Sequence, residues 1–144
     1  MTIEDKQNEL IEQFNQFEDW MDKYSMLIEM GKELPGIALE AKTKQNLISG
    51  CQSRVWLTAD YENGKIRFSA DSDAVITKGI ISLLIKVLSG HTPDEILDTN
   101  MDFVDKIGLR EHLSPTRSNG LTSMIKQMKL YALVFKTKYS QNQE

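Results

Sequence analysis

Apolar positions in the first quarter of the chain recur at steps of three and four residues, which is the spacing of one face of an α-helix. This set comprises Leu10, Phe14, Phe17, Trp20, Tyr24, Leu27 and Ile28. Thr2 followed by Asp5 predicts a cap at the start of the helix, and Gly31 predicts its end. The many polar residues between positions 13 and 22 leave room for a break into two helices.

The pattern changes from helical to strand-like after residue 47. Residues 53–59 and 65–70 alternate between apolar and polar side chains, as half-buried strands do. An Asn-Gly pair at positions 63–64 separates the two runs, and such a pair is the strongest short signal for a hairpin. We therefore predict two antiparallel strands. A third short strand at residues 46–49 remains open, and it would place Cys51 at the tip of a tight connection at the end of the sheet.

A helix is predicted to follow the hairpin and to lie across the sheet. Its apolar face is formed by Ile76, Ile80, Leu83, Leu84 and Val87. Ser72 or Asp73 would accept hydrogen bonds from the free amides at its start, and Gly90 would end it. Asp71 and Asp73 resemble a catalytic carboxylate pair, but their place directly before the helix favours capping.

The last third of the chain is predicted to be helical, with one long interruption. A capping-box signature at residues 92–95 starts a short helix, and apolar residues at 103–107 indicate one or two further turns. Residues 114–120 have the composition of a turn-rich loop, and a long amphipathic helix follows from Leu121. The order of helix, hairpin and several helices indicates an α+β fold, with a small antiparallel β-sheet packed against the helices.

Composition agrees with this architecture and excludes several classes of function. The 144 residues are 40% hydrophobic and 26% charged, the balance of one ordinary globular domain, which we expect to span residues 1–144. The formal net charge is −4 and no basic block stands out, so nucleic acid is not an expected partner. The longest apolar stretch, residues 79–88, is too short to cross a membrane. Early acidic residues argue against a secretion or transit signal, so we expect a cytoplasmic protein.

The chain contains one cysteine, Cys51, in an unusual setting. A single thiol cannot close an intrachain disulfide or assemble a zinc or iron–sulfur ligand set by itself, so no metal is expected. Most lone cysteines are small, buried apolar side chains. Here Gly50 precedes the cysteine and the polar residues Gln52 and Ser53 follow it, which indicates a turn rather than an apolar run.

Three segments resemble the motifs of the SufE family of sulfur acceptor proteins and follow the family's order. They are residues 46–57 (NLISGCQSRVWL), residues 70–74 (ADSDA) with the Lys-Gly pair at 78–79, and residues 112–121 (HLSPTRSNGL) with Met124 shortly after. The resemblance implies the α+β fold that this family shares with the iron–sulfur scaffold IscU. It also implies a role in iron–sulfur cluster biogenesis, with Cys51 as the residue that accepts sulfur.

The same resemblance implies the partners of the reaction. A pyridoxal-phosphate cysteine desulfurase of the SufS type would donate sulfur from its persulfide, and a scaffold complex such as SufBCD would receive it. The related CsdE-type acceptors share the motif. The chain itself would need no cofactor, and Gly50, Gln52, Ser53 and Arg117 would support the cysteine loop or bind the partner. A homodimer remains open, whereas a scaffold role is disfavoured because the chain offers only one thiol and two histidines.

Sulfur exchange at Cys51 makes two conflicting demands. The attacking species is a thiolate, and a thiol with a pKa of about 8.5 is only about 3% ionised at pH 7. A lower pKa would gain only a few-fold in rate, because nucleophilicity falls with it, so we expect docking to drive the transfer. An exposed persulfide would be stripped by soluble thiols. We therefore expect Cys51 to be tucked against apolar neighbours in the free protein and to swing out on the desulfurase, with Gly50 as the flexible point.

The sequence leaves alternatives open for three further residues and for the class of function. Arg117 is either a solvated loop arginine or a cation that binds the partner or polarises the sulfur site, and Arg54, predicted to face outward beside Trp56, is a second candidate. His112 as a base for a thiol hydrolase is disfavoured, because no cysteine-protease signature is present. A thiol-based redox sensor and a structural adaptor with an inert Cys51 are the two other classes of function.

Overall fold

The computed structural model describes residues 1–140, and the α+β architecture expected from the sequence is confirmed. The elements are α1 (Ile3–Asn15), α2 (Trp20–Lys32), two short 3-10 turns (Leu39–Ala41 and Lys44–Asn46), β1 (Val55–Glu62), β2 (Lys65–Ser72), α3 (Val75–Leu88), α4 (Pro93–Asp98), α5 (Phe103–Ile107), α6 (Leu109–His112) and α7 (Pro115–Ser140). None of the helices in the described part of the chain is both long enough and apolar enough to cross a membrane.

The first apolar stripe is divided into two helices. Thr2 caps α1 as predicted and forms a capping box with Asp5, and Asp19 caps α2 by accepting a hydrogen bond from the backbone of Met21. Gly31 does not end α2, which continues to Lys32. Instead it permits close contact with α3, because a Cβ atom on Gly31 would lie 2.9 Å from the backbone nitrogen of Gly79.

The hairpin has the predicted geometry. Its register runs from Val55 opposite Ser72 to Glu62 opposite Lys65, and both Asn63 (φ 55°) and Gly64 (φ 79°) have positive φ angles, as the favoured two-residue turn requires. No third strand forms in the described residues. Residues 46–49 contribute only an isolated bridge to β1 and a hydrogen bond from the backbone of Ile48 to the carbonyl of Val55 (2.9 Å).

Trp56 is buried, so the prediction that it faces outward beside Arg54 is wrong for the tryptophan. Only 9% of its surface is exposed, whereas Arg54 is exposed. The segment before β1 covers the indole, since Leu47 bridges to Trp56 and the ammonium of Lys42 lies 5.3 Å from the centre of its ring. Strand alternation alone cannot reveal such a cover, because an irregular segment supplies it.

The prediction that Asp71, Ser72 or Asp73 caps α3 is also wrong, because Ala74 occupies the cap without a side-chain hydrogen bond to the helix amides. The Asp71 carboxylate pairs with Lys42 (3.0 Å) and Lys78 (3.3 Å). Burial by itself would raise the pKa of Asp71, but hydrogen bonds from Lys42, the Ser72 backbone and Lys78 outweigh it and lower the pKa. These contacts fasten the segment before β1 to the start of α3.

The predicted loop at residues 114–120 is the beginning of α7. Ser114 precedes the helix and its hydroxyl accepts a hydrogen bond from the backbone of Arg117 (3.3 Å), while Pro115 occupies the first helical position. A serine before the helix and a proline at its first position are both recognised signals of a helix start. The prediction of a loop is therefore wrong, because it relied on the turn-like composition of the segment. As a consequence Arg117 and Gly120 lie on a rigid helix rather than in a loop.

The core is built around α3, which packs against α2, β2 and α7. Its side chains Ile80, Ile81, Leu83 and Leu84 are almost fully buried. The predicted capping box of α4 is confirmed, and the predicted turns at residues 103–107 form α5, which ends at Gly108 (φ 85°). The helix α3 therefore forms a fixed floor beneath the segments that carry the predicted site.

Candidate functional site

Cys51 lies in the turn that connects the second 3-10 turn with β1. Gly50 has a φ angle of 90°, a conformation that residues with a side chain rarely adopt. A Cβ atom at Gly50 would also lie 2.6 Å from the hydroxyl oxygen of Ser123 on α7. The turn therefore needs glycine for its backbone conformation, and a side chain at this position would also require the Ser123 hydroxyl to move.

The thiol of Cys51 rests on the first turns of α7. It is half-buried and donates a hydrogen bond to the carbonyl oxygen of Gly120, with a sulfur–oxygen distance of 3.7 Å. A Cβ atom on Gly120 would lie only 3.2 Å from the sulfur. Since ordinary contacts of this kind are longer, the absence of a side chain at Gly120 creates the space that the thiol occupies.

A small cleft of about 50 Å³ opens beside the sulfur. Residues from the turn, from α3 and from α7 line it. The turn contributes Cys51, Gln52 and Ser53, α3 contributes Thr77 and Ile80, and α7 contributes Thr116, Arg117, Gly120 and Met124. The structure thus brings four of the five predicted site residues together around one cleft, and the fifth, Gly50, shapes the adjoining turn.

Apart from Arg117, the residues of α3 and α7 that line the cleft were not predicted as site residues. Thr116, Gly120 and Met124 are spaced by four residues and share one face of α7, a signal that becomes visible only when the helix begins at Pro115. Thr77 and Ile80 lie on the predicted apolar stretch of α3, where the pattern indicates core packing and nothing more.

Burial raises the pKa of the Cys51 thiol, and it is the only cause of the shift. Arg117 contributes nothing to this shift in pKa, and it is exposed and forms no ion pair with an acidic side chain within residues 1–140. The fold therefore favours the protonated thiol over the thiolate at this position.

The other candidate residues lie outside the cleft lining. The ring of His112 stacks on Trp20 at 3.9 Å and its Nδ1 atom contacts the carbonyl of Gly108 (2.9 Å), so it is not placed as a base for the thiol. Arg54 does not line the cleft, and its backbone is held by Asp73 and Ser72. Among the residues that the structure describes, no cluster of side chains is suited to hold a metal ion.

Comparisons with known proteins point to one family. The model of the SufE family, described as an Fe-S metabolism associated domain, matches residues 8–132. A protein from Rhizobium etli described as an uncharacterised SufE-like protein is 41% identical over 133 residues, which is 88% of this chain and 89% of that one. One with the same description from Synechocystis is 39% identical over 126 residues, 88% of this chain and 79% of its own.

Two further matches extend the picture. SufE-like protein 1 of Arabidopsis thaliana, described as chloroplastic/mitochondrial, is 40% identical over 134 residues; this is 92% of the present chain but only 36% of the plant protein. The solution structure of a hypothetical protein from Thermus thermophilus superposes with a TM-score of 0.77 at 23% identity. That match covers 92% of this chain and 96% of the other, and it shows that the two share a fold.

The raised pKa of Cys51 predicts the pH dependence of its alkylation. Because the folded protein favours the protonated thiol, thiolate should form at a higher pH than in an unhindered cysteine, whose pKa is about 8.5. The rate of reaction with iodoacetamide, followed by mass spectrometry between pH 7 and pH 10, should therefore have its midpoint above that of the urea-denatured chain. A midpoint at or below the denatured value would show that burial does not suppress ionisation of the thiol.

Gly120→Ala should drive Cys51 out of its seat. The added methyl group would lie 3.2 Å from the sulfur, and overpacking of this kind costs about 1 kcal/mol or more, enough to raise the population of the displaced turn about fivefold. The rate of Cys51 alkylation at fixed pH should rise accordingly. Asn119→Ala, an exposed neighbour on the same helix, is the matched control and should leave the rate unchanged. An unaltered rate in folded Gly120→Ala protein would show that Gly120 does not seat the thiol.

Proposed function

Because this chain belongs to the SufE family, we propose that Cys51 accepts sulfane sulfur from the persulfide of a cysteine desulfurase and passes it to an iron–sulfur cluster scaffold complex. The donor would be of the SufS type and the acceptor of the SufBCD type. In this proposal the protein is a cytoplasmic sulfur carrier that consists of one domain. It also stimulates the desulfurase that donates the sulfur. The observation that carries the proposal is the seating of the thiol in a glycine-flanked turn beside a small cleft.

The proposed transfer is a thiol–persulfide exchange in which atoms and charges balance. The Cys51 thiolate attacks the terminal sulfur of the donor persulfide, a bond forms between the two sulfurs, and the donor's own sulfur–sulfur bond breaks. The donor cysteine leaves as a thiolate with the bonding electron pair. Cys51 then carries the extra sulfur, whose proton passes to solvent. A second exchange of the same kind delivers that sulfur to a thiolate of the scaffold complex.

Shelter and reactivity oppose each other at this site. Burial protects the carried sulfur from soluble thiols, but it also raises the pKa of Cys51 and lowers the thiolate fraction. The proposal resolves this conflict by movement of the turn. The thiol contacts α7 through one long hydrogen bond, and Gly50 is a residue whose backbone changes conformation at little cost. Docking on the desulfurase would free the turn, and proximity in the complex would then supply the rate.

Arg117 is proposed as a contact for the desulfurase. It projects from the first turn of α7 beside the cleft, it is exposed, and no acidic side chain in the described range pairs with it. An arginine held on a helix and lacking a partner is well suited to a charged or polar surface on another protein. Gln52 and Ser53 line the same cleft and are proposed to support the loaded turn.

The two other classes of function fit the site less well. Redox-sensing cysteines combine a low pKa with good exposure and often have a resolving cysteine nearby, whereas here burial raises the pKa of a solitary thiol. An adaptor with an inert cysteine would not need glycine at positions 50 and 120 around the sulfur.

Incubation of the protein with a SufS-type desulfurase, pyridoxal phosphate and free cysteine should add one sulfur atom to Cys51, detected by mass spectrometry of the intact chain. Cys51→Ser should still bind the desulfurase but should no longer stimulate its turnover. A Cys51→Ser protein that stimulates as well as the native chain would support the adaptor class instead. Failure of the native chain to gain sulfur while the desulfurase consumes cysteine would also overturn the proposal.

Arg117→Ala should weaken binding to the desulfurase about tenfold, as truncation of an interface arginine commonly does. Alkylation of Cys51 in the free protein should stay unchanged, because Arg117 does not perturb the thiol in this conformation. Arg67→Ala is the matched control, since Arg67 is exposed on β2 and does not line the cleft. Equal loss of binding in both variants would indicate a general effect of charge rather than a contact at Arg117.

A further inference from the structure

We propose that the hydroxyl of Thr77 holds the carried sulfur by donating a hydrogen bond to its terminal atom inside the cleft. This inference rests on the proposed function, because it concerns the Cys51 persulfide, and it adds a residue of α3 to the site. Thr77 would then stabilise the form of the protein that carries sulfur on Cys51 and not the form without it.

Thr77 is a buried polar residue without a hydrogen-bond partner. Only 5% of its surface is exposed, and its hydroxyl bonds to no other group in residues 1–140. Several other hydroxyl-bearing side chains on the helices do have partners, since Ser25, Thr122 and Thr137 each donate to the carbonyl four residues earlier. Ser82, which is also buried on α3, donates to the carbonyl of Met30. Thr77 thus differs from the other buried hydroxyl of its own helix.

The free hydroxyl belongs to the cleft beside Cys51. The one completely enclosed side-chain nitrogen or oxygen without a partner in the described structure is Nε2 of His91. The hydroxyl of Thr77 also lacks a partner, so it is not completely enclosed and some of its surface is open. Thr77 lines the cleft, and we take the cleft to be the space to which the hydroxyl is open. A hydroxyl in this position can donate to a group that enters from the turn.

The chemistry of a persulfide matches this donor. A persulfide is a stronger acid than its parent thiol, so its terminal sulfur is predominantly anionic at neutral pH. An anion between Ile80 and Met124, each only 1% exposed, would be costly to bury without a hydrogen-bond donor. The neutral thiol of unloaded Cys51 makes no such demand and already bonds to Gly120. The Thr77 hydroxyl therefore favours the loaded state selectively.

The size of the cleft also suits a single additional atom. Its volume of about 50 Å³ has room for only a few water molecules. One sulfur atom attached to Cys51 fits this space.

Thr77→Val tests the inference because valine preserves the shape of the side chain and removes the donor. After loading by the desulfurase, the isolated protein is treated with reduced glutathione, and the half-life of the extra sulfur is measured by mass spectrometry. Loss of a hydrogen bond to an anion should shorten this half-life about tenfold. Thr77→Ser, which restores the hydroxyl, should recover a half-life close to that of the native chain. Alkylation of unloaded Cys51 should be the same in all three proteins.

Thr137→Val, a loss of a hydroxyl at the far end of α7, is the matched control and should leave both rates unchanged. If Thr77→Val does not fold, Thr77→Ala removes the same donor with less bulk. If the extra sulfur in Thr77→Val has the same half-life as in the native chain, the inference is overturned. It is also overturned if alkylation of unloaded Cys51 accelerates as much as loss of the sulfur does, because that would indicate a general loosening of the site. Normal loading with an unchanged half-life defeats only the role of Thr77, whereas failure of the native chain to load defeats the proposed function as well.

Discussion

The close contact between the cysteine turn and the first turns of α7 is the constraint on which the site depends. It is made at two glycines where a Cβ atom would force a neighbouring side chain to move, Gly50 against Ser123 and Gly120 against Cys51. The contact fixes the sulfur over a helix carbonyl and leaves one small cleft beside it. Without it the thiol would be an ordinary exposed side chain, with neither the protection nor the raised pKa that the structure gives it.

The rest of the fold keeps the two sides of this contact in place. Helix α3 packs against α7 and β2, so the two helices that line the cleft belong to the same core. Asp71 joins Lys42 to Lys78 and thereby ties the segment before the turn to the start of α3. Loss of the Asp71 carboxylate would therefore break both ion pairs of this junction at once.

The sequence was sufficient where local chemistry decides the structure. The Asn-Gly hairpin and the helix caps at Thr2 and Thr92 depend on neighbouring residues, and each formed as predicted. It was insufficient where distant segments decide. Trp56 is covered by an irregular segment that no periodicity reveals, and the carboxylates of Asp71 and Asp73 bond across the fold instead of capping α3.

The candidate site divides in the same way. Cys51, its turn and Arg117 could be identified from motifs in the sequence, whereas Thr77 could not, because a threonine within an apolar helix is indistinguishable from an ordinary core residue until its neighbours are known. The start of α7 lies between these cases. Ser114 and Pro115 carried a readable signal for a helix, but the turn-forming residues around them concealed it.

Both ends of the cysteine turn are anchored, and this sets how far the sulfur can travel. Ile48 is bonded to Val55 on one side, and Arg54 is held by Ser72 and Asp73 on the other. Two residues lie between Cys51 and each anchor, and the three residue steps that join them span at most about 10 Å when fully extended. Cys51 is thus on a short tether. In the proposed transfer, a donor would have to present its sulfur within that distance of this protein's surface, which excludes a donor whose sulfur lies deep in a narrow opening.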